Sequence, residues 1–337
     1  MVKGSKVLVT GAAGFLGTNI AKRLVEEGCQ VRGTLHNRKP QFEHSNLEYI
    51  KADLTHMSDC RQVVEGMDYV FMCAANTSGA AVMATQPLAH VTPNVVMNAQ
   101  MLEASYQAKI KKFLFISSSA AYPPSGDRPV SEDEMFEGDP YEAYYSVGWM
   151  KRYAEVLCRI YSEKIKDSMT TVVIRPSNVY GPYDKFDFER SHVTAALIRK
   201  VVERQDPLEV WGTGEDVRDL IYADDFLDAM MLAMTKLEKF DPVNIGFGKG
   251  CRVREVLDTL LDVDGFFNAK VVVNPTKPSM IPIRLVDVSK AKALFNFTAQ
   301  TNLDVGLRKT LAWYRAAYGL QLTSEPSEGI LAIAGSS

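Results

Sequence analysis

The sequence predicts an α/β protein, a doubly wound parallel sheet with a smaller C-terminal α/β domain, on three observations. Short β-rich runs alternate with amphipathic helical stretches through the first half, a glycine-rich turn joins the first such pair, and the rhythm loosens after about Pro182. Strands are expected over 6–10, 30–34, 47–51, 69–73, 112–117 and 170–175, and helices over about 17–27, 57–65, 91–107 and 144–164. Each strand returns through a helix, so the strands pair in parallel and both sheet faces are covered. Farther on, a polar loop over 183–191 precedes a helix near 193–203 and a turn at Trp211-Gly212-Thr213-Gly214. A helix over 224–234 returns to the main domain, and elements at 253–263, 271–274 and 303–318 complete the C-terminal lobe.

The composition is that of an ordinary globular protein, with 46% apolar and 23% charged residues. No apolar run approaches the roughly 18 residues a spanning helix needs. The N-terminal segment runs directly into Val7-Leu8-Val9 without a signal-peptide pattern, so a cytoplasmic protein is expected. Five scattered cysteines, none in a Cys-x-x-Cys pair, suggest neither a disulfide framework nor a metal site. A net charge of -3 gives no footprint for nucleic acid or an anionic membrane. Anionic ligands must be held by local groups.

The turn after the first strand reads Gly11-Ala12-Ala13-Gly14-Phe15-Leu16-Gly17. A strand opening into Gly-x-x-Gly-x-x-Gly and then a helix points backbone N–H groups and the helix N-terminus at a pyrophosphate, and the absent side chains allow close approach. Gly11, Ala13, Gly14, Phe15, Leu16 and Gly17 are therefore expected to hold a dinucleotide, and the fold to be Rossmann-type. The domains then interleave: 1–180 with about 220–250 form the dinucleotide-binding domain, 181–219 with about 251–320 the substrate-binding domain, and 321–337 a flexible tail. The end of the second strand, Arg32-Gly33-Thr34-Leu35-His36-Asn37-Arg38-Lys39, lacks the carboxylate that would take the ribose 2′-hydroxyl of NAD. Arg38, with Arg32 or Lys39, can pair with a 2′-phosphate, so NADP is favoured and NAD remains possible. Asp53 and Leu54 follow the third strand, where the adenine would lie.

Several segments together resemble the extended short-chain dehydrogenases/reductases, the NAD(P)-dependent nucleotide-sugar epimerase/dehydratase family: the glycine turn, Cys73-Ala74-Ala75, Asn94, Ser117-Ser118-Ser119, Lys151, Arg175-Pro176-Ser177-Asn178-Val179-Tyr180-Gly181-Pro182 and Tyr222-Ala223-Asp224-Asp225. The run 181–186 followed by Ser191-His192-Val193 is most similar to the GDP-fucose synthase branch, which epimerises and reduces a GDP-4-keto-6-deoxy sugar. The resemblance implies a nucleotide-sugar substrate between the domains, with Asn178 and Ser119 near the sugar and Lys200, Trp211 and Arg218 toward the nucleotide diphosphate. It adds Ala74, Ala75, Lys151, Pro176, Asn178 and Val179 to the cofactor contacts. It also implies a homodimer through the helices at 91–107 and 144–164.

In this family a Ser or Thr binds the substrate oxygen, and a Tyr four residues before a Lys transfers the proton. One turn of helix puts the Lys ammonium beside the phenol. Counting four back from Tyr122 gives Ser118 as that hydroxyl, and Lys151 fits the Lys, but Val147 stands where the Tyr belongs. Three explanations stay open: Tyr145 reaches the site through an irregular helix start; another hydroxyl (Tyr122, Tyr183 or a water on Ser118) transfers the proton; or the protein binds its ligands without turnover, as a regulator or scaffold. The family's dehydratases need acidic residues after the Ser/Thr, where this chain has Ser119, Ala120 and Ala121. His192 corresponds to the branch's epimerising His, while Ala120 replaces its Cys partner.

Overall fold

The computed structural model describes residues 3–77, 86, 88–187, 191–277 and 280–320; the expected tail at 321–337 lies outside them. The first half runs β1 (Lys6–Val9), α1 (Phe15–Glu26), β2 (Gln30–Leu35), β3 (Leu47–Lys51), α2 (Met57–Val64), β4 (Tyr69–Met72), α3 (Leu88–Gln107), β5 (Lys112–Ile116), α4 (Tyr145–Arg159) and β6 (Thr170–Pro176). The remainder comprises β7 (Asn178–Tyr180), α5 (Val193–Val202), β8 (Leu208–Trp211), β9 (Val217–Tyr222), α6 (Ala223–Lys236), β10 (Val243–Ile245), β11 (Gly250–Arg252), α7 (Val253–Asp264), β12 (Val271–Asn274), β13 (Ile283–Arg284), α8 (Ser289–Phe295) and α9 (Leu303–Tyr318).

Seven strands form one sheet in the order β10-β6-β5-β4-β1-β2-β3, and every pairing in it is parallel. Successive residues bury opposite faces, as the two-residue strand period requires. Val7, Val9, Leu114, Ile116, Val172 and Ile174 face one core with α1 and α6. Leu8, Val70, Met72, Phe113, Phe115 and Val173 face the other, with residues of α2, α3 and α4. This is the doubly wound, Rossmann-type sheet that the alternation predicts.

A third core joins α5, α7 and α9 through Leu197, Ile198, Leu257, Leu260, Leu307 and Leu311. Two small sheets flank it: β9 pairs with β7, β11 and β13, and β8 pairs with β12. Segment 289–299, which the sequence assigns to this lobe, instead returns to the main sheet. The apolar side chains of Ala291, Phe295, Phe297 and Ala299 join the first core beside Phe226 and Met230.

A buried ion pair fastens the second face of the sheet. The Arg175 guanidinium on β6 meets the Glu155 carboxylate on α4 at 2.6 Å, with almost no exposure of either side chain. Ser117 also donates to Glu155, and Arg175 donates to the Tyr122 hydroxyl at 2.9 Å and the Glu132 carbonyl at 2.7 Å. Burial opposes the Arg175 cation, but the Glu155 carboxylate and Tyr122 outweigh it and raise its pKa. Removing one partner of such a pair leaves an uncompensated buried charge. Glu155→Gln is expected to lower unfolding free energy by about 3–5 kcal/mol in urea titrations; a loss under about 1 kcal/mol, typical of an exposed pair, would contradict this assignment.

Candidate functional site

The sheet order reverses between β1 and β4, so the turns after these strands face one crevice. Gly11 adopts a φ of +66°, and a Cβ there would lie 2.8 Å from the Ala74 Cα. At Gly17 it would lie 2.1 Å from the Gly11 carbonyl oxygen. Thr10 Oγ1 accepts the Cys73 and Ala74 N–H groups at 3.0 and 2.9 Å, holding the two turns together. No side chain caps the start of α1 at Gly14. Ala13 and Gly17 are buried, Gly14, Phe15, Leu16 and Ala74 half-buried, and Ala75 exposed. An uncapped helix start behind a side-chain-free turn fits a pyrophosphate.

At the end of β2, Arg38 and Lys39 are exposed. Arg32 is not available with them: its guanidinium donates to Glu48 at 2.7 Å and to the carbonyls of Val63 and Glu65. Asp53 accepts from the Thr55 N–H and hydroxyl at 3.0 and 2.7 Å. These bonds, with the nearby His56 and His36, hold its carboxyl below the usual range. Leu54 does not present its side chain to a ligand, because it is buried in the second core.

The corner after β5 presents Ser118, half-buried, while Ser119 turns inward at the start of the 3-10 turn Ser119–Ala121. Ser118 Oγ accepts the Ala120 N–H at 3.1 Å, leaving its own proton to donate. Lys151 reaches this corner, donating to the Ile116 carbonyl at 2.8 Å. Burial pushes its pKa down to about 8, with Glu155 opposing. A Cβ on Gly148 would lie 2.5 Å from the Pro140 Cβ and 3.3 Å from the Ala120 carbonyl, so glycine there permits α4 to approach the corner.

The tyrosines resolve unequally. Tyr122 is fully buried and its hydroxyl is committed to Asn244 at 2.6 Å and to Arg175. Tyr183 packs at a tilt against Trp313 with centroids 4.8 Å apart, and its hydroxyl accepts from Lys22 on α1. Tyr145 does not turn toward Lys151: it is 48% exposed and starts an outward stripe with Trp149, Tyr153, Val156 and Ile160. Its six-residue separation from Lys151 is about 240° around a regular helix. Tyr144 immediately precedes α4 and closes the 3-10 turn Glu142–Tyr144, with its side chain half-buried. Burial raises the Tyr144 pKa, while the nearby Arg218 and Arg284 pull it down. The sequence pattern does not single out Tyr144, because it lies outside the regular helix.

In the second lobe Pro176 is buried at the end of β6, and Asn178 and Val179 are half-buried on β7. Trp211 is 41% exposed, which removes it from the core, and the Lys200 and Lys277 ammonium groups lie 5.9 and 5.3 Å from its ring centroid. Lys200 is buried and donates to the Glu209 carbonyl at 2.6 Å, and burial lowers its pKa. Arg218 is buried, with Asp216 at 3.1 Å. His192 lies 3.7 Å from Asp184 and stays exposed.

The profile of the NAD dependent epimerase/dehydratase family matches residues 7–246. The chain belongs to that family. Among curated relatives, the GDP-L-fucose synthase of Sinorhizobium fredii is 28% identical over 92% of this chain and 95% of its own length. That of Escherichia coli is 28% identical over 92% and 96%, and the GDP-mannose 3,5-epimerase of Arabidopsis thaliana 27% over 96% and 85%. Among solved structures, UDP-glucose 4-epimerase of Thermotoga maritima superposes with a TM-score of 0.82, 26% identity and coverage of 93% of this chain and 99% of its own. UDP-glucuronic acid 4-epimerase of Bacillus cereus, solved with UDP-glucuronic acid and NAD, gives 0.81 at 26% identity, covering 93% and 100%. The family is one of NAD(P)-dependent nucleotide-sugar epimerases and reductases. Among the described residues, no helix is long and apolar enough to cross a membrane.

The Asp184 carboxylate beside it is the main reason the His192 pKa lies above its ordinary value. The pairing stabilises the fold fully below the unfolded imidazole pKa and is lost as pH rises through the higher folded one. NMR titration is expected to place His192 above the usual imidazole range and Asp184→Asn to lower it. An unchanged midpoint would remove the pairing.

Proposed function

We propose that the chain is an NADP-dependent nucleotide-sugar reductase or epimerase, acting as a cytoplasmic homodimer on a GDP-linked 4-keto-6-deoxy sugar. The observation that carries this reading is Lys151, whose ammonium is bonded to the Ile116 carbonyl at the foot of the Ser118 corner. The GDP-L-fucose synthases among the relatives favour the GDP-keto sugar. Five free cysteines fit a reducing compartment.

The pyrophosphate would rest on the N–H groups of 11–17, the adenine near Asp53, the 2′-phosphate on Arg38, and the nicotinamide half along Ala74, Ala75, Pro176, Asn178 and Val179. NADPH supplies a hydride when bound. Ser118 donates its free proton to the keto oxygen and polarises it, and Lys151 fixes the nicotinamide ribose. We assign the proton donor to Tyr144, half-buried with Arg218 and Arg284 nearby, rather than to the exposed Tyr145. Trp211, between two lysines, offers a stacking face for the base, and His192 with Asp184 flanks the sugar.

General acid catalysis contributes about 10²- to 10⁴-fold. Tyr144→Phe is therefore expected to lower kcat at least about 100-fold, and Tyr145→Phe to leave it nearly unchanged, with NADPH and a GDP-4-keto-6-deoxy hexose as substrates. Loss of turnover in the Tyr145 variant instead would reverse the assignment. Val147 favours a second reading, a dinucleotide-binding regulator; measurable NADPH binding without oxidation across several keto sugars would select it.

The stripe Tyr145, Trp149, Tyr153, Val156 and Ile160 recurs every three or four residues along α4 and continues into the turn after it, and all five side chains are exposed. Such a face supports the homodimer. Paired substitution of Trp149→Glu and Tyr153→Lys is expected to give monomers in sedimentation; wild-type mass for that variant would place the interface elsewhere.

A further inference from the structure

Segment 181–186 follows β7 and is held at both ends by the second lobe. Tyr180 and Phe186 are buried in the third core, and the Phe186 ring packs against Trp313 and Tyr314 of α9, with centroids 5.8 and 4.6 Å apart. Between these anchors the chain turns through Tyr183, whose φ is +67°. A bulky residue adopts that left-handed conformation only where its surroundings hold it.

The middle of the segment is bonded to the other domain. Asn19, buried one turn into α1, donates to the Pro182 carbonyl at 2.9 Å. Lys22, farther along α1, donates to the Tyr183 hydroxyl at 3.4 Å, and its ammonium lies 5.5 Å from the ring centroid. Lys185 donates to the Thr77 hydroxyl and, at 2.9 Å, to the Thr77 carbonyl. Thr77 lies in the segment after β4, which α3 holds rigidly through Asn76. Pro93 has no N–H for the Ala89 carbonyl one turn back, and Asn76 Nδ2 takes that carbonyl at 2.8 Å. Asn94 accepts the Asn76 N–H at 2.8 Å and donates to its carbonyl at 2.9 Å.

The start of α1 and the segment after β4 are the two walls of the crevice. A chain bonded to both walls crosses its mouth. We propose that residues 182–185 are a strap over the dinucleotide crevice, and that parting of Lys185 from Thr77 is the opening step through which the cofactor enters and leaves. Thr77 is exposed, whereas Asn19 is buried and Tyr183 half-buried, so the Lys185 end is the one that water can release first. These contacts join protein to protein. They therefore set how fast the crevice opens, not how tightly the cofactor is held. Reduction consumes one NADPH per turnover, so cofactor exchange lies on its path, whereas an epimerisation that returns its hydride keeps the cofactor in place. The strap rests on the dinucleotide reading above.

Stopped-flow fluorescence of NADPH tests it, with association followed on mixing and dissociation on chasing with excess NADP⁺. Lys185→Met keeps the aliphatic stem and loses the donors. It is expected to raise both rate constants together, about 5- to 30-fold, with Kd within about threefold of wild type. Thr77→Val, a milder change at an exposed position, gives a smaller rise in both and adds little to Lys185→Met, because the two residues share one contact. Wild-type association and dissociation in Lys185→Met overturn the strap and leave the dinucleotide site intact. Faster dissociation alone, with Kd rising in proportion, overturns it as well, since Lys185 would then be a direct cofactor contact. Wild-type protein that binds neither NADPH nor NADH overturns the dinucleotide reading and the strap together.

Discussion

The buried pair of Arg175 and Glu155 determines where everything at the site can stand. Two charges taken from water repay their desolvation only when each remaining donor and acceptor is also satisfied. Here Ser117, Tyr122 and the Glu132 carbonyl complete the set, and Tyr122 passes the constraint to Asn244 at the start of β10. One network thus links β6, α4, the corner after β5 and the sheet edge. Because Glu155 is one helical turn from Lys151, fixing its carboxylate also fixes the rotation of α4. Lys151 is thereby aimed at the Ile116 carbonyl, and the opposite stripe is turned outward.

That rotation decides what Val147 means. With α4 held in register and drawn against the corner at Gly148, Tyr145 stands on the outward face of the helix, away from Lys151. The helix is α-helical from Tyr145 onward, and the 3-10 turn Glu142–Tyr144 precedes it. Tyr122 is unavailable for a different reason. Its hydroxyl is saturated by Asn244 and Arg175, and burial raises its pKa, so moving its proton would dismantle the network that positions Lys151. Val147 leaves an aliphatic side chain on the Lys151 face, and Tyr144 stands outside the regular helix, in the 3-10 turn before it.

Patterns with a local physical cause were legible in the sequence. Short β-rich runs located all six strands of the first half, and the glycine spacing located the turn, since a Cβ at Gly11 or Gly17 would strike backbone. What the sequence concealed depends on distant partners. Arg32 looked free for a phosphate until Glu48 and two carbonyls engaged it. The burial of the Leu54 side chain is set by a core assembled from α2, α3 and α4. Short strands such as β7, β11 and β13 carry too few residues to show a period. Arg284 therefore had no local signal; only the pairing of β13 with β9 brings it beside Arg218.

The same distinction governs the electrostatics. A chain with net charge -3 has no global field to attract an anion. Cations gathered at a few buried positions act differently, because low dielectric strengthens each of them and screening by salt is weak. Lys151, Arg218 and Arg284 are such positions, and burial lowers the pKa of both Lys151 and Arg284, a measure of what it costs to keep them charged. Acidic partners are nearby for Lys151 and Arg218, in Glu155 and Asp216, so the uncompensated charge concentrates on Arg284.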